Sequence, residues 1–223
     1  MKSVLFLFLL FSFSSFAQSQ YQDINKFTKE VVFKEEFNNN TQLWNIIELY
    51  PLNRSLVRGN LQLTSFDQTV FFTRRIFFKT KDDFQIETTI KAVAGDSSLT
   101  FGLCFGGNSD KTAPVRNIFG ISSGTAKVEA GSFKYDFKIV AKKDVTGLIK
   151  NEAYNILTIR KVKKTIYYFV NEELVFTTKF KSFKGNEFGF YLQEETTVLI
   201  DNFNVCALKP IAIEKTPNTK HTP

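Results

Sequence analysis

Histidine is almost missing from this chain of 223 residues: His221, near the C-terminus, is the one there is, and cysteine occurs only as Cys104 and Cys206. A Ser-His-Asp arrangement and a Cys/His zinc site therefore lack their raw material. Proline (5) and glycine (11) are also sparse, which excludes a collagen-like or Pro/Gly-rich low-complexity chain. No two carboxylates stand two residues apart. The acidic pairs Glu35/Glu36, Asp82/Asp83, Glu172/Glu173 and Glu194/Glu195 are adjacent, so on a strand the two members face opposite ways. Asp83 and Glu87 share a face but lie about 13 Å apart on an extended strand, too far for a glycosidase pair. After the first residues no apolar stretch approaches the roughly 20 needed to cross a bilayer.

What is present in quantity is phenylalanine: 26 residues, within a composition 43% hydrophobic, 15% aromatic and 23% charged. Such a chain can bury a large aromatic core. The formal charge is +7, carried mostly by scattered lysines, since arginine is limited to Arg54, Arg58, Arg74, Arg75, Arg116 and Arg160. The densest basic run, Arg160-Lys161-Val162-Lys163-Lys164, reads as a solvated hairpin turn, with an acidic polysaccharide or membrane surface as the functional alternative. No nucleic-acid-binding motif occurs.

Residues 1–17 have the form of a secretory signal. Lys2 is the basic start, Val4 to Phe16 the apolar run, and Ser15-Phe16-Ala17 supplies the small residues before cleavage. The mature protein is thus expected to be secreted, periplasmic or on the cell surface. Residues 18–28 read as a flexible lead and 209–223, with three of the five prolines, as a disordered tail holding His221. In an oxidising compartment Cys104 and Cys206 can pair, but each sits in an apolar strand-like segment where a free buried thiol is ordinary, and the free state is favoured. Asn39-Asn40-Thr41 and Asn53-Arg54-Ser55 fit the glycosylation pattern.

From residue 29 to 208 the periodicity is two, not 3.6. Polar Asp83, Gln85, Glu87, Thr89 and Lys91 interleave with Phe84, Ile86 and Ile90. Phe133, Tyr135, Phe137 and Ile139 alternate with Lys134, Asp136 and Lys138, and Phe188, Phe190 and Leu192 with Gly189, Tyr191 and Gln193. Turn signals such as Arg58-Gly59-Asn60, Gly106-Gly107-Asn108 and Lys184-Gly185-Asn186 separate these runs, and Asn171-Glu172-Glu173 turns a hairpin between Ile166–Val170 and Leu174–Thr178. About a dozen strands without crossover helices predict an all-β domain, an antiparallel two-sheet β-sandwich of jelly-roll type around a Phe-rich core, with Trp44 inside it.

Several stretches, in order, carry a resemblance: Phe33-Lys34-Glu35-Glu36-Phe37 with Trp44; Asp83 to Glu87, then Phe101-Gly102-Leu103-Cys104-Phe105; Asn155 to Ile159, then Tyr168-Phe169-Val170-Asn171; and Phe188-Gly189-Phe190 with Ile200-Asp201-Asn202-Phe203-Asn204-Val205. Over about residues 31–206 they resemble the concanavalin A-like lectin/glucanase superfamily in its laminin-G-like branch. The likeness is nearest to exported bacterial domains grouped with the 3-keto-disaccharide hydrolase-like domain of unknown function. Two departures stand out: Glu172 replaces the usual hairpin Gly, and Ser98-Leu99-Thr100-Phe101-Gly102-Leu103 replaces that group's "nSGi" stretch.

The resemblance implies a carbohydrate-binding module, and the missing carboxylate spacing together with the replaced stretch points away from catalysis. The alternatives are a cell-surface protein-interaction domain and a glycoside hydrolase whose carboxylates meet across strands. Arg75, Gln85, Glu87, Arg160, Tyr167, Tyr191 and Gln193 are the candidate ligand residues, on an outward or concave sheet face. Tyr167 and Tyr191 lead because an amphipathic ring interrupts the pattern at each. No cofactor is expected; calcium at the Asp201-Asn202 bend is the one ion the oxygen ligands suggest, against a purely structural turn.

Overall fold

The computed structural model describes residues 26–108, 115–122, 127–133 and 137–211. The signal segment, most of the lead and nearly all of the tail, His221 included, lie outside the described residues. In chain order the strands are β1 (Phe27–Glu35), β2 (Glu48–Leu49), β3 (Leu52–Val57), β4 (Asn60–Ser65), β5 (Val70–Arg75), β6 (Phe84–Ala94), β7 (Phe101–Asn108), β8 (Val115–Ser122), β9 (Lys127–Phe133), β10 (Phe137–Asp144), β11 (Asn155–Val162), β12 (Thr165–Val170), β13 (Glu173–Lys179), β14 (Glu187–Leu192) and β15 (Thr197–Pro210). Strand β1 begins at Phe27 and β15 runs to Pro210, so the sheet takes in two residues at each end that the sequence reading left outside the sandwich.

All pairings are antiparallel, in two sheets. The larger has nine strands in the order β13-β12-β11-β6-β15-β4-β3-β2, with β1 also on β15; the smaller has six, β10-β9-β8-β7-β14-β5. Strand β15 is long because its first part pairs with β4 and its last part with β1, while β6 lines its other side.

Alternation drives one face of each sheet inward, and the Phe surplus fills the space between them. Trp44 has its ring centroid 5.2 Å from Phe72, 5.8 Å from Phe37, 5.9 Å from Phe190, 6.1 Å from Phe203 and 6.4 Å from Phe33. The strandless segment that delivers it is clamped by Asn40, whose Oδ1 accepts from the Trp44 N–H (2.7 Å) and whose Nδ2 donates to the Trp44 carbonyl (2.8 Å). A second aromatic group gathers around Phe183, within 5.3–6.0 Å of Phe180, Phe105, Phe84 and Phe188. The Phe183 ring lies on Gly106, where any Cβ would come within 2.3 Å of it.

Three local expectations change. The alternating run 133–139 is not one strand: Phe133 ends β9, Phe137 begins β10, and the two are register partners in an antiparallel pair, with residues 134–136 outside the described ones. The β12–β13 turn keeps left-handed geometry without glycine, with φ of 50° at Asn171 and 70° at Glu172, the primed-turn shape that matches strand twist. Asn171 suits that corner because its side chain accepts from Ile156 N–H and donates to Leu148 O and Asn155 Oδ1. The basic run at 160–164 is also not simply solvated. Lys163 turns the hairpin at φ 54°, but Arg160 and Lys161 are buried. The Lys161 ammonium donates to the Lys81 and Asp82 carbonyls and lies 3.4 Å from Asp83 Oδ1 and 5.1 Å from the Phe180 ring centroid.

The cysteines are free. Cys104 is on the outer face of the six-stranded sheet, packed with Ile118 and Tyr191, and Cys206 is on the outer face of the nine-stranded sheet opposite Gln85. The whole core separates them, far beyond disulfide reach.

Candidate functional site

Residues directly opposite in an antiparallel ladder share a face, so the register sorts every outward side chain into rows. On the six-stranded sheet one row runs Phe71 (β5), Tyr191 (β14), Gly102 (β7), Gly120 (β8), Glu129 (β9) and Lys142 (β10). The two glycines leave a trough. The Tyr191 ring lies down in it, and its hydroxyl stands where a Cβ at Gly120 would be only 2.1 Å away. Phe71 stacks on Tyr191 at 6.3 Å and 29°, and the Arg116 guanidinium sits 4.7 Å from the Phe71 ring centroid. This stack explains why Tyr191 is outward-facing and yet only 2% exposed. Burial pushes the Tyr191 hydroxyl well above its ordinary value, with the Glu129 carboxylate adding to the effect, and pushes the Cys104 thiol up to about 12.

Beyond that stack, toward the end of the β5–β14 pair, the surface opens into a depression of about 440 Å³. Arg75 and Glu187, opposite each other in register, form part of its wall, with Phe77, Asn108, Lys184 and Asn186 around them. Phe77 is 77% exposed. Its position is nonetheless fixed: Ile76 before it is buried and donates its N–H to Asn186 O (2.9 Å), and Phe78 after it packs 5.2 Å from Phe188 and 5.4 Å from Phe84. An aromatic face is thus held out to solvent on a rigid segment beside charged and amide groups, an arrangement that can stack on an apolar ring face and bond its polar edge. A smaller cleft of about 290 Å³ lies between the loops at Gly95–Ser97 and Lys150–Ala153; Phe101, the aromatic residue in its wall, is buried.

The structure divides the seven candidates between opposite faces of the sandwich. Tyr167, Arg160 and Gln85 form one row across the outer face of the nine-stranded sheet, with Glu87 in the next. Arg75 and Tyr191 belong to the six-stranded sheet, and Gln193 follows directly on the end of its strand β14. One ligand cannot touch both sets. The first set forms a closed polar ladder: Arg160 Nε donates to Gln85 Oε1 (2.9 Å), Gln85 Nε2 to Glu87 Oε2 (2.9 Å) and Thr158 Oγ1 to the same oxygen (3.2 Å), while the Arg160 guanidinium covers Phe169 at 4.6 Å. Gln193 Oε1 accepts the Thr100 N–H at 2.5 Å, tying β14 to the start of β7. Tyr167 and Tyr191, favoured as displayed rings, are 6% and 2% exposed, so neither offers a stacking surface. Of the seven, Arg75 lines the depression. Phe77, Asn108, Lys184 and Glu187 were missed. A glycine at an outward position in each of two neighbouring strands, Gly102 and Gly120, was the available signal for the Tyr191 trough; Phe77 is unmarked within its hydrophobic run.

At the Asp201-Asn202 bend β15 is bulged, and the Asn202 amide donates to Thr89 Oγ1 (2.9 Å) and Asp201 Oδ2 (3.0 Å). Among the described residues no group of three or more His, Cys, Asp or Glu side chains comes together as a metal site.

Glu129 carries a pH prediction. Burial raises its carboxyl above the ordinary range, partly opposed by Lys142, whose ammonium is 4.0 Å away, and by Thr100. A group whose folded value is raised stabilises the fold while protonated, and that contribution is lost as pH rises through the raised value. Melting temperatures from pH 4 to 8 should therefore fall more on the alkaline side for the native chain than for Glu129→Gln; parallel curves would refute this.

No protein-family model matches the sequence, and no curated protein matches it. Solved structures do match the fold. A protein of unknown function with a galectin-like fold from Bacillus subtilis superposes with a TM-score of 0.62 at 8% identity, over 83% of this chain and 100% of that one. The catalytic domain of an endo-1,3-beta-glucanase (laminarinase) from Thermotoga petrophila gives 0.59 at 11%, over 83% and 100%. The CBM2 module of the evolved Dit of Lactobacillus casei BL23 phage J-1 gives 0.54 at 9%, over 84% and 100%. The chain is a jelly-roll sandwich of the concanavalin A-like kind seen in β-glucanases and galectin-like proteins, and at these identities the likeness is one of fold.

Proposed function

We propose that this chain is an exported, non-catalytic glycan-binding module whose site is the depression at Phe77. The observation that carries the reading is the rigidly held, solvent-facing Phe77 ring flanked by Arg75, Asn108, Lys184 and Asn186. Sugar rings have one apolar face and a polar rim, which such a site complements. The fold's occurrence both in a phage CBM2 module and in laminarinase catalytic domains agrees with a glycan ligand. The grouping with exported 3-keto-disaccharide hydrolase-like domains, implied by the motif order, is part of the same proposal, as is the cleaved signal at residues 1–17.

Binding is favoured over cutting by where the carboxylates lie. Glu129 and Glu187 share the outer face, but three strand spacings and four residue steps put their backbones about 20 Å apart, against separations of roughly 5–9.5 Å in glycosidases. Asp144 is nearer to Glu129, one strand away, but its Oδ1 is engaged by the Thr146 N–H (3.0 Å) and hydroxyl (2.7 Å), and neither residue lines the depression.

Phe77→Ala should abolish glycan retention in affinity electrophoresis without changing the thermal melt, because a side chain this exposed contributes little to the core. Tyr167→Ala, on the opposite sheet, should leave retention unchanged in any molecules that remain folded. Retention of Phe77→Ala equal to that of the native chain would remove the site.

A further inference from the structure

We infer that the depression selects glycans bearing an oxyanion, a uronate carboxylate or a sulfate ester, over neutral ones; this rests on the glycan-binding reading above. The argument concerns which hydrogen-bonding groups the site leaves open. Arg75 and Lys184 are exposed and, among the described residues, enter no hydrogen bond or ion pair. Guanidinium and ammonium groups donate and never accept. Asn108 carries both functions, but its Oδ1 is occupied by the Val115 N–H at 2.9 Å, so its amide presents the Nδ2 donor. Asn186 has its backbone carbonyl taken by Ile76. Glu187, the one carboxylate in the wall, is 6% exposed, and its Oε2, which has no hydrogen-bond partner among the described residues, is itself buried away from the open edge.

The open edge of the depression therefore holds more donors than acceptors: the Arg75 and Lys184 cations and the Asn108 Nδ2 only donate, and the Asn186 side-chain amide carries one function of each kind. A neutral sugar presents hydroxyls, each of which is best satisfied by both accepting and donating. An oxyanion presents only acceptors, and a guanidinium takes it in two parallel charge-assisted bonds, about twice as strong as neutral ones. Phe77 then carries the apolar face of the same residue. The formal charge of +7 adds a diffuse attraction for any polyanion, which has to be separated from recognition at this site.

The test is calorimetric titration of the purified chain with three oligosaccharides of equal length: tetragalacturonate, its fully methyl-esterified form, and a sulfated galactan tetramer. Each is run at low and at physiological salt, with Arg75→Ala, Lys184→Ala and Phe77→Ala beside Lys143→Ala, which removes the same charge from exposed β10. Esterification should weaken binding by about tenfold or more, given charge-assisted bonds of this kind. Arg75→Ala and Lys184→Ala should erase that preference, Phe77→Ala should weaken every ligand, and Lys143→Ala should do neither. The better of the two anions identifies the oxyanion. Equal binding of ester and acid, still sensitive to Phe77→Ala, overturns this inference and leaves the glycan module standing. Loss of acid binding to the same extent in Lys143→Ala as in Arg75→Ala, or at physiological salt alone, reduces the effect to diffuse charge and also overturns it. Failure of every saccharide to bind removes both readings.

Discussion

Trp44→Ala should destabilise the fold by about 3–5 kcal/mol, the range for removing a large buried aromatic. The side chain is 3% exposed and joins both sheets: Phe33 and Phe203 come from the nine-stranded sheet, Phe72 and Phe190 from the six-stranded one. Removing the indole leaves a void between layers that rigid neighbouring rings cannot close. The Arg74 guanidinium, 5.5 Å from the same ring, loses part of its apolar cover. Trp44→Phe should cost much less than its lost volume suggests, because the buried indole Nε1 has no hydrogen-bond partner among the described residues and its removal relieves that desolvation. Chemical denaturation of the two variants checks both statements. An alanine variant within about 1 kcal/mol of the native chain would mean that Trp44 is not the joint between the layers.

Lys161→Ala should be of similar severity, about 3–5 kcal/mol, although the residue lies in the most basic run of the sequence. Its ammonium supplies the positive partner of Asp83 and caps the carbonyls of Lys81 and Asp82 while 2% exposed. Truncation strands those acceptors beside a cavity under Phe180. Lys161→Met keeps the stem over the Phe180 ring and should recover the packing part of the loss, while Asp83 and the two carbonyls stay as unmatched as in the alanine variant. Asp83 also accepts the Lys163 N–H, so the hairpin at 163–164 should fray in the alanine variant and show faster amide exchange there. Lys164→Ala, a change in the same run at an exposed turn position, should be nearly silent. If Lys161→Ala and Lys164→Ala melt alike, the buried ion cluster has no energetic role.

The contrast between these two lysines shows how far a linear reading goes. Period two is a local property, written by side chains that alternate across a pleat, so the sandwich, the inward Phe residues, buried Trp44 and the β12–β13 hairpin were all legible residue by residue. The same periodicity passes unbroken from β9 into β10, because Phe133 and Phe137 both fit the pattern and no glycine or proline lies between them.

Alternation separates inward from outward, but it does not say which of two outward faces a residue joins. Arg75 and Gln85 are ten positions apart in sequence and lie on opposite sides of the molecule, because β5 pairs with β14 while β6 pairs with β11 and β15. Nor does it say what covers a residue once it points outward. Tyr191 is buried because Gly102, Gly120, Phe71 and Arg116, from three other strands, provide its floor and its roof. Composition and period thus determined the class of fold and its core. Strand pairing over long sequence separation decided that Phe77, Arg75, Lys184 and Asn108 surround one depression, since a shared surface depends on distances in space that local alternation does not encode.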